Sequence, residues 1–219
     1  MDESDNVAPL VSKILATPIP LREILFIDGG STDATCFTIQ SLATDHPIRL
    51  INQPRDAPGL AAAIMAGARA AEGDILVVMD ADLSHPPERI KDLLDPILAG
   101  TADMVIGSRY VTGGSTPGWP LWRRMMSRTA SAFAYPLTGI RDSMCGFFAI
   151  SRSLLLEIAP PTSGFKIVFE TIVRGGRTLR VREIPITFRD RTRGESKMSL
   201  DIALKFFVRW VLAIFRRVR

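Results

Sequence analysis

Residues 74–88 read DILVVMDADLSHPPE, and the interpretation of the whole chain starts from this stretch. Ile75 to Met79 is an unbroken apolar run, typical of a strand buried on both faces of a sheet. Asp80 and Asp82 follow it, at the carboxyl end of the strand, where open α/β sheets bind ligands. Two carboxylates that converge there suit a hard divalent cation carrying phosphate oxygens. A lone Asp-x-Asp would equally suit strand and helix caps, so the neighbouring motifs must decide.

Apolar runs alternate with helical patterns along most of the chain. The predicted strands are 24–27, 48–52, 75–79, 104–108, 146–151 and 180–188. The predicted helices are 5–16, 59–71, 87–98 and 122–137, with a last one from about 199. This order predicts an α/β, Rossmann-like fold with a mostly parallel central sheet and helices on both faces.

Composition excludes several kinds of site. The only histidines are His46 and His85, which disfavours a zinc site or a histidine-based triad. The two cysteines, Cys36 and Cys145, lie far apart and indicate a reducing compartment. The polar start does not predict a secretory signal, and no stretch is long and apolar enough to predict a membrane span.

Positive charge is concentrated at the carboxyl end of the chain. Residues 189–219 hold nine Lys and Arg against three Asp and Glu, a net charge of +6. The remaining residues carry −2, which gives the whole chain its net charge of +4. The predicted helix 199–219 places Lys205, Arg209 and Arg216 near one stripe among aromatic residues. It is interpreted as an interfacial membrane helix, although an edge helix with solvated charges fits the pattern nearly as well. No nucleic-acid partner is expected, because nothing there combines aromatics with base-reading residues.

Four segments together carry a family resemblance. They are IDGGSTD at 27–33, MDADLSHPPE at 79–88, GSRY at 107–110, and IPITF at 184–188 followed by RTRGESK at 191–197. With them the sequence closely resembles the polyprenol (dolichol) phosphate mannose synthases, inverting glycosyltransferases of family 2 with the GT-A fold. The resemblance implies a catalytic domain at 1–198 and an amphipathic membrane-proximal helix at 199–219.

The resemblance also implies site residues. Asp80 and Asp82 would hold Mg²⁺ or Mn²⁺ on the diphosphate of a nucleotide sugar, with Ala81 close to the nucleotide. Arg109, at the end of a strand, would clamp a phosphate. Asp82 and Arg109 are thus expected to be catalytic.

Further basic residues are implied in the polar loop and the 122–137 helix. Arg191 and Lys197 would close over the donor, with Arg191 counted as catalytic. Arg128 would hold the acceptor phosphate, whereas Arg123 and Arg124 are interpreted as structural or solvated. Glu170 falls where the family carries a glutamate facing the site, and its role stays open.

The chain departs from the family pattern at two places. The family begins with a buried strand that ends in Pro-x-Tyr-Asn-Glu, and here the chain starts inside that motif, without the strand, the proline and the tyrosine. Either the true start lies upstream, which the intact downstream motifs favour, or the protein is a remnant. Glu3, Ile27 and Asp28 remain as candidate nucleotide contacts. Gly29 stands where the family has an aspartate that contacts the base, which leaves the choice between GDP-mannose and UDP-glucose open.

The leading hypothesis is a metal-dependent transfer of a hexose, mannose from GDP-mannose, onto polyprenyl or dolichyl phosphate. The enzyme would act peripherally at the cytoplasmic face of the membrane, and the need for a separate anchor subunit is open. The alternatives are a UDP-glucose-using glucosyltransferase and a catalytically impaired remnant that binds nucleotide or lipid. A dehydrogenase is disfavoured because the turn at Gly29 and Gly30 lacks the G-x-G-x-x-G spacing.

Overall fold

The computed structural model describes residues 1–53, 58–158 and 167–189, in which strands and helices alternate. The strands are β1 Ile24–Asp28, β2 Ile48–Asn52, β3 Ile75–Val78, β4 Met104–Ser108, β5 Phe148–Ser151 and β6 Val181–Pro185. The α-helices are α1 Ser4–Leu15, α2 Thr35–Leu42, α3 Leu60–Ala70, α4 Ile90–Leu98, α5 Leu121–Thr138, α6 Arg152–Ile158 and α7 Ile167–Gly175. Short 3₁₀ turns at Pro87–Arg89 and Gly176–Thr178 precede α4 and β6.

The described strands form two sheets. β1 pairs with β2 in parallel, and the larger sheet has the order β3-β5-β4-β6. β5 is antiparallel to both of its neighbours, whereas β4 and β6 are parallel. β3, β4 and β6 therefore run in one direction, and the predicted α/β fold with mostly parallel strands is confirmed.

β4 lies at the centre of the larger sheet, between β5 and β6. Met104, Val105 and Ile106 have no exposed surface, because α4 packs against this part of the sheet. Burial on both faces explains why this strand is a continuous apolar run without alternation. Ser108 ends the strand and delivers Arg109 to the site edge.

A cleft of about 790 Å³ separates the two sheets. Its walls include residues 24–27 of β1 and residues 75–78 of β3, whose only described strand partners are β2 and β5. Apolar side chains of α1, α3 and α4 complete the lining, among them Leu10, Ile64 and Leu94. Among the described strands, β1 and β3 thus each present one edge to this apolar space.

An added strand in this cleft is expected to stabilise the protein. Met1 lies beside Gly29, just after β1, so a segment fused ahead of Met1 can run parallel to β1. A β-branched apolar segment matched in length to β1 is expected to raise the free energy of unfolding by about 2–3 kcal/mol, after its ordering entropy is deducted. Urea denaturation measures the change. A matched segment interrupted by lysine and proline serves as the control, and equal stabilisation by both would contradict the prediction.

Several sequence predictions fall outside the described residues. They are the closing residues Arg191 and Lys197, the boundary at 198, and the membrane helix 199–219. Among the described helices, none combines the length and the apolar character needed to span a bilayer.

Candidate active site

The aspartate pair follows β3 directly, on a tight turn. β3 ends at Val78, and Leu83 has a φ of 62°, which reverses the chain after Asp82. Asp82 is 4% exposed, and its Oδ1 accepts a hydrogen bond of 3.0 Å from the Ser84 N–H. The side chain of Asp80 is 39% exposed. The Asp82 carboxylate is thus anchored in the turn, while Asp80 is partly exposed to solvent and lines the cleft.

The buried side chain of His85 is hydrogen-bonded to the backbone of this turn. Its Nδ1 accepts a 3.0 Å hydrogen bond from the Asp80 N–H, and its ring lies between Phe147 and Phe188. Burial lowers the pKa of His85, so the ring is neutral, and because Nδ1 accepts, the proton resides on Nε2. Nε2 lies 4.0 Å from Sγ of Cys145, whose pKa burial raises to about 12. His85 therefore fixes the backbone of the aspartate motif and is too buried to touch a substrate.

Arg109 is held by a buried partner that the sequence does not reveal. Its Nε and Nη2 donate to the two carboxylate oxygens of Asp142 at 2.8 and 2.7 Å, and its backbone N–H donates to Oδ2 at 2.9 Å. Burial opposes the charge of Arg109, but the hydrogen bonds and charge of Asp142 raise its pKa. The predicted phosphate clamp thus has one edge of its guanidinium already committed to Asp142.

A second carboxylate orients this pair. Glu183 on β6 accepts the backbone N–H groups of Arg141 and Asp142, both at 2.9 Å. The Arg109 guanidinium also lies 5.4 Å from the Trp119 ring and 5.6 Å from the Phe188 ring. Because Phe188 also packs on His85, the arginine and the aspartate turn share one aromatic support.

In the turn after β1, the carboxylate of Asp28 accepts hydrogen bonds from residues of the same turn. Oδ2 accepts the N–H groups of Gly30 and Ser31 at 2.8 Å, and Oδ1 accepts the Ser31 hydroxyl. Burial raises the pKa of Asp28, but these bonds, with one from Cys36, lower it below the usual value. A side chain at Gly29 would meet Gln53 Oε1 at 3.2 Å. The nucleotide contacts assigned to Asp28 and Gly29 stay predictions.

The amino-terminal residues pack against this same turn. The Glu3 N–H donates to the Thr35 hydroxyl at 2.8 Å, and the Asp2 carboxylate accepts the Thr32 N–H at 2.8 Å. The Glu3 carboxylate accepts from Asn6 at 2.5 Å, in the first turn of α1. Glu3 is therefore tied to Thr35, in the segment that follows the Asp28 turn, and its contact with nucleotide stays a prediction.

Of the other predicted donor contacts, Ile27, Asp80 and Ala81 line the cleft between the sheets together. Arg128 lies on α5, and its guanidinium is 5.8 Å from the Tyr110 ring. Tyr110 donates to the Ser127 hydroxyl at 2.6 Å, which ties α5 to the residue after Arg109. Glu170 is half-buried on α7.

The donor set of this site fits a hard divalent cation. Asp80 and Asp82 supply carboxylate oxygens, which Mg²⁺ and Mn²⁺ prefer. Within the described ranges, no group of three or more His, Cys, Asp or Glu side chains forms a complete metal cage. A cation here would depend on diphosphate oxygens and water for its remaining ligands, as Mg²⁺ commonly does at phosphate-binding sites.

An α/β sheet with paired aspartates at a strand end and a buried arginine beside them is the arrangement of a GT-A glycosyltransferase. Residues 1–159 match the family model for Glycosyl transferase family 2, and the chain belongs to that family.

Two curated proteins of this family are similar to this chain over most of its length. The dolichol-phosphate mannosyltransferase of Pyrococcus furiosus is 38% identical over an alignment of 203 residues, and the match covers 90% of this chain and 57% of that protein. This chain therefore spans a little over half of that relative. The polyprenol monophosphomannose synthase of Mycolicibacterium smegmatis is 38% identical over 209 residues, with 90% of this chain and 78% of that protein covered.

A solved structure supports the fold. Glucosyl-3-phosphoglycerate synthase from Mycobacterium tuberculosis, in complex with Mn²⁺, UDP-glucose and glycerol 3-phosphate, matches 98% of this chain and 74% of its own. The TM-score is 0.66 and the identity is 20%, so the likeness establishes a shared fold.

Proposed function

We propose that the chain transfers a hexose, mannose from GDP-mannose, onto polyprenyl or dolichyl phosphate with inversion at the sugar carbon. The observation that carries this proposal is the aspartate turn after β3, with Asp82 anchored through Ser84 and Asp80 open to solvent. The sugar and the acceptor follow from the names of the relatives that cover nearly all of this chain.

The proposed reaction does not require a strong general base from the protein. An acceptor phosphate is anionic at neutral pH, since its second pKa is about 6. One of its oxygens attacks the anomeric carbon as the bond to the nucleoside diphosphate breaks, and the bonding electrons leave with the diphosphate. The buried, neutral His85 is then needed only as a support for Asp80.

Asp80 and Asp82 would hold Mg²⁺ or Mn²⁺ on the donor diphosphate. Such a cation neutralises the charge that develops on the departing group. Arg109 would add fixed positive charge beside it, in an orientation set by Asp142. Glu3, Ile27, Asp28, Gly29 and Ala81 are the proposed nucleotide contacts.

Three basic residues, Arg191, Lys197 and Arg128, complete the proposed site. Arg189, the last described residue before Arg191 and Lys197, donates its N–H to the Ser84 carbonyl at 3.1 Å, beside the aspartate turn. This position of Arg189 supports the proposal that Arg191 and Lys197 would close over the donor. Arg128 would hold the acceptor phosphate.

A transfer assay tests the proposal. The purified chain is given radiolabelled GDP-mannose or UDP-glucose, with a polyprenyl phosphate in detergent and Mn²⁺ or Mg²⁺. We expect label in the lipid fraction from GDP-mannose and none after chelation of the metal. Label from UDP-glucose alone would change the sugar, and transfer from neither donor would overturn the proposal.

The cleft between β1 and β3 favours a second candidate, a membrane-associated binding protein without transfer activity. Asp80 and Ala81 line this cleft, so the side of the site that would hold the donor borders an apolar space. This candidate predicts nucleotide or lipid binding without turnover. Transfer that disappears in Asp82→Ala would exclude it.

A further inference from the structure

Strand β6 carries a half-buried carboxylate whose partners are backbone groups. Oε2 of Glu183 accepts the Arg141 N–H and Oε1 accepts the Asp142 N–H, both at 2.9 Å. None of the ion pairs between described residues includes Glu183. Both of its oxygens are therefore used to hold two consecutive peptide N–H groups in place.

One of these two peptide groups belongs to the partner of Arg109. Asp142 is fully buried, and its carboxylate accepts the backbone N–H, Nε and Nη2 of Arg109 at 2.7 to 2.9 Å. A buried carboxylate with three donors has little freedom to turn, so the position of its backbone sets the position of the guanidinium. A displacement at 141–142 would thus be transmitted directly to Arg109.

The register of β6 against β4 places Glu183 relative to Arg109. Pro185 is the register partner of Ser108, and the Ile186 N–H donates to the Ser108 carbonyl at 3.0 Å. Arg109 follows Ser108 directly. The same strand thus fixes the backbone before Arg109 and, through Glu183, the carboxylate that receives its side chain.

This arrangement leaves one part of the guanidinium for a ligand. Asp142 engages the edge formed by Nε and Nη2 of Arg109. In the part of the chain that the structure describes, Nη1 has no hydrogen-bond acceptor, and the side chain keeps 8% of its surface exposed. Nη1 is therefore the donor that remains for a phosphate oxygen, and its direction depends on Asp142.

We propose that Glu183 is a positioning residue for Arg109, which holds the 141–142 backbone so that Asp142 directs Nη1 to a phosphate oxygen. The inference deepens the proposed function and rests on it for the identity of that phosphate. Glu183 itself does not touch the substrate. A displacement of about 1 Å at a substrate-orienting group can lower a rate by about a hundredfold, so a residue at this remove can govern the rate.

Replacement of Glu183 by Gln tests the inference. The amide keeps the size of the side chain, but its NH₂ group cannot accept the second backbone N–H. We expect kcat/KM for transfer to fall about tenfold or more. The matched control is Glu23→Gln, because Glu23 also accepts a backbone N–H, from Glu72 at 2.6 Å, and directly precedes β1 in the other sheet. Its rate should stay within about twofold of the parent rate.

A second readout does not depend on transfer. The Nε–H of Arg109 donates to Asp142, and its ¹H–¹⁵N signal is identified by its absence in Arg109→Lys. We expect Glu183→Gln to shift or broaden this signal and Glu23→Gln to leave it unchanged. Glu183→Asp gives the same test if the Gln variant does not fold, because the shorter carboxylate cannot reach both N–H groups.

The outcomes separate this inference from the proposed function. An unchanged Arg109 signal in the Glu183 variants, or an equal change in Glu23→Gln, would overturn the inference at any transfer rate. A changed signal with transfer at the parent rate would also overturn it, since the reaction would then not need this orientation. If the parent chain transfers nothing while the signal changes only in the Glu183 variants, the proposed function fails and the positioning of Arg109 by Glu183 stands.

Discussion

Replacement of Asp82 by Asn is expected to reduce sugar transfer by about a thousandfold or more while the fold is retained. The amide oxygen of Asn can still accept the Ser84 N–H, so the turn keeps its hydrogen bond. The negative charge that would hold the cation against the donor diphosphate is lost. The initial rate of labelled mannose transfer, at saturating Mg²⁺ or Mn²⁺, measures the effect.

The control for this variant is Asp95→Asn. Asp95 lies on α4 in a surface pair with Lys91 and is 52% exposed, so its change should leave the rate within about twofold. Thermal unfolding of both variants checks that the fold is retained. Transfer by Asp82→Asn at the parent rate would remove Asp82 from the metal site.

Replacement of Asp142 by Ala is expected to lower the free energy of unfolding by about 3–5 kcal/mol. Asp142 has no exposed surface and accepts three N–H groups of Arg109. Its removal leaves a buried guanidinium without its counter-charge, which costs more than the pair itself contributes. Urea denaturation followed by circular dichroism measures the loss.

The chain supplies a matched control for that experiment. Asp103 accepts the N–H, Nε and Nη2 of Arg180, the same three groups that Arg109 offers to Asp142. The two pairs differ in burial, since the Arg180 and Asp103 side chains are 57% and 24% exposed. Asp103→Ala should therefore destabilise the protein far less, because water screens the remaining charge. Equal losses would mean that burial does not set the strength of the Arg109 pair.

The sequence was sufficient for four of the six described strands and for the position of the aspartate pair, whereas β5 starts two residues later and β6 ends three residues earlier than predicted. Apolar runs predicted β1, β2, β3 and β4 within one residue at each end, because a strand buried on both faces leaves a continuous local pattern. The position of Asp80 and Asp82 after β3 followed from that pattern alone. Short α6 and α7 were missed, since seven and nine residues give little periodicity to detect.

The buried partners that hold Arg109 and His85 in place were decided by the tertiary structure. Asp142 lies 33 residues after Arg109, and no local pattern marks them as partners. No local pattern predicts the place of β5 in the sheet either. Its antiparallel position between β3 and β4 brings Phe147 and Cys145, which lie just before it in the chain, to His85. Local patterns reflect burial and turn geometry, which act between neighbours in sequence. The choice of partner for a buried charge depends on which segments meet in space, and only the folded chain determines that.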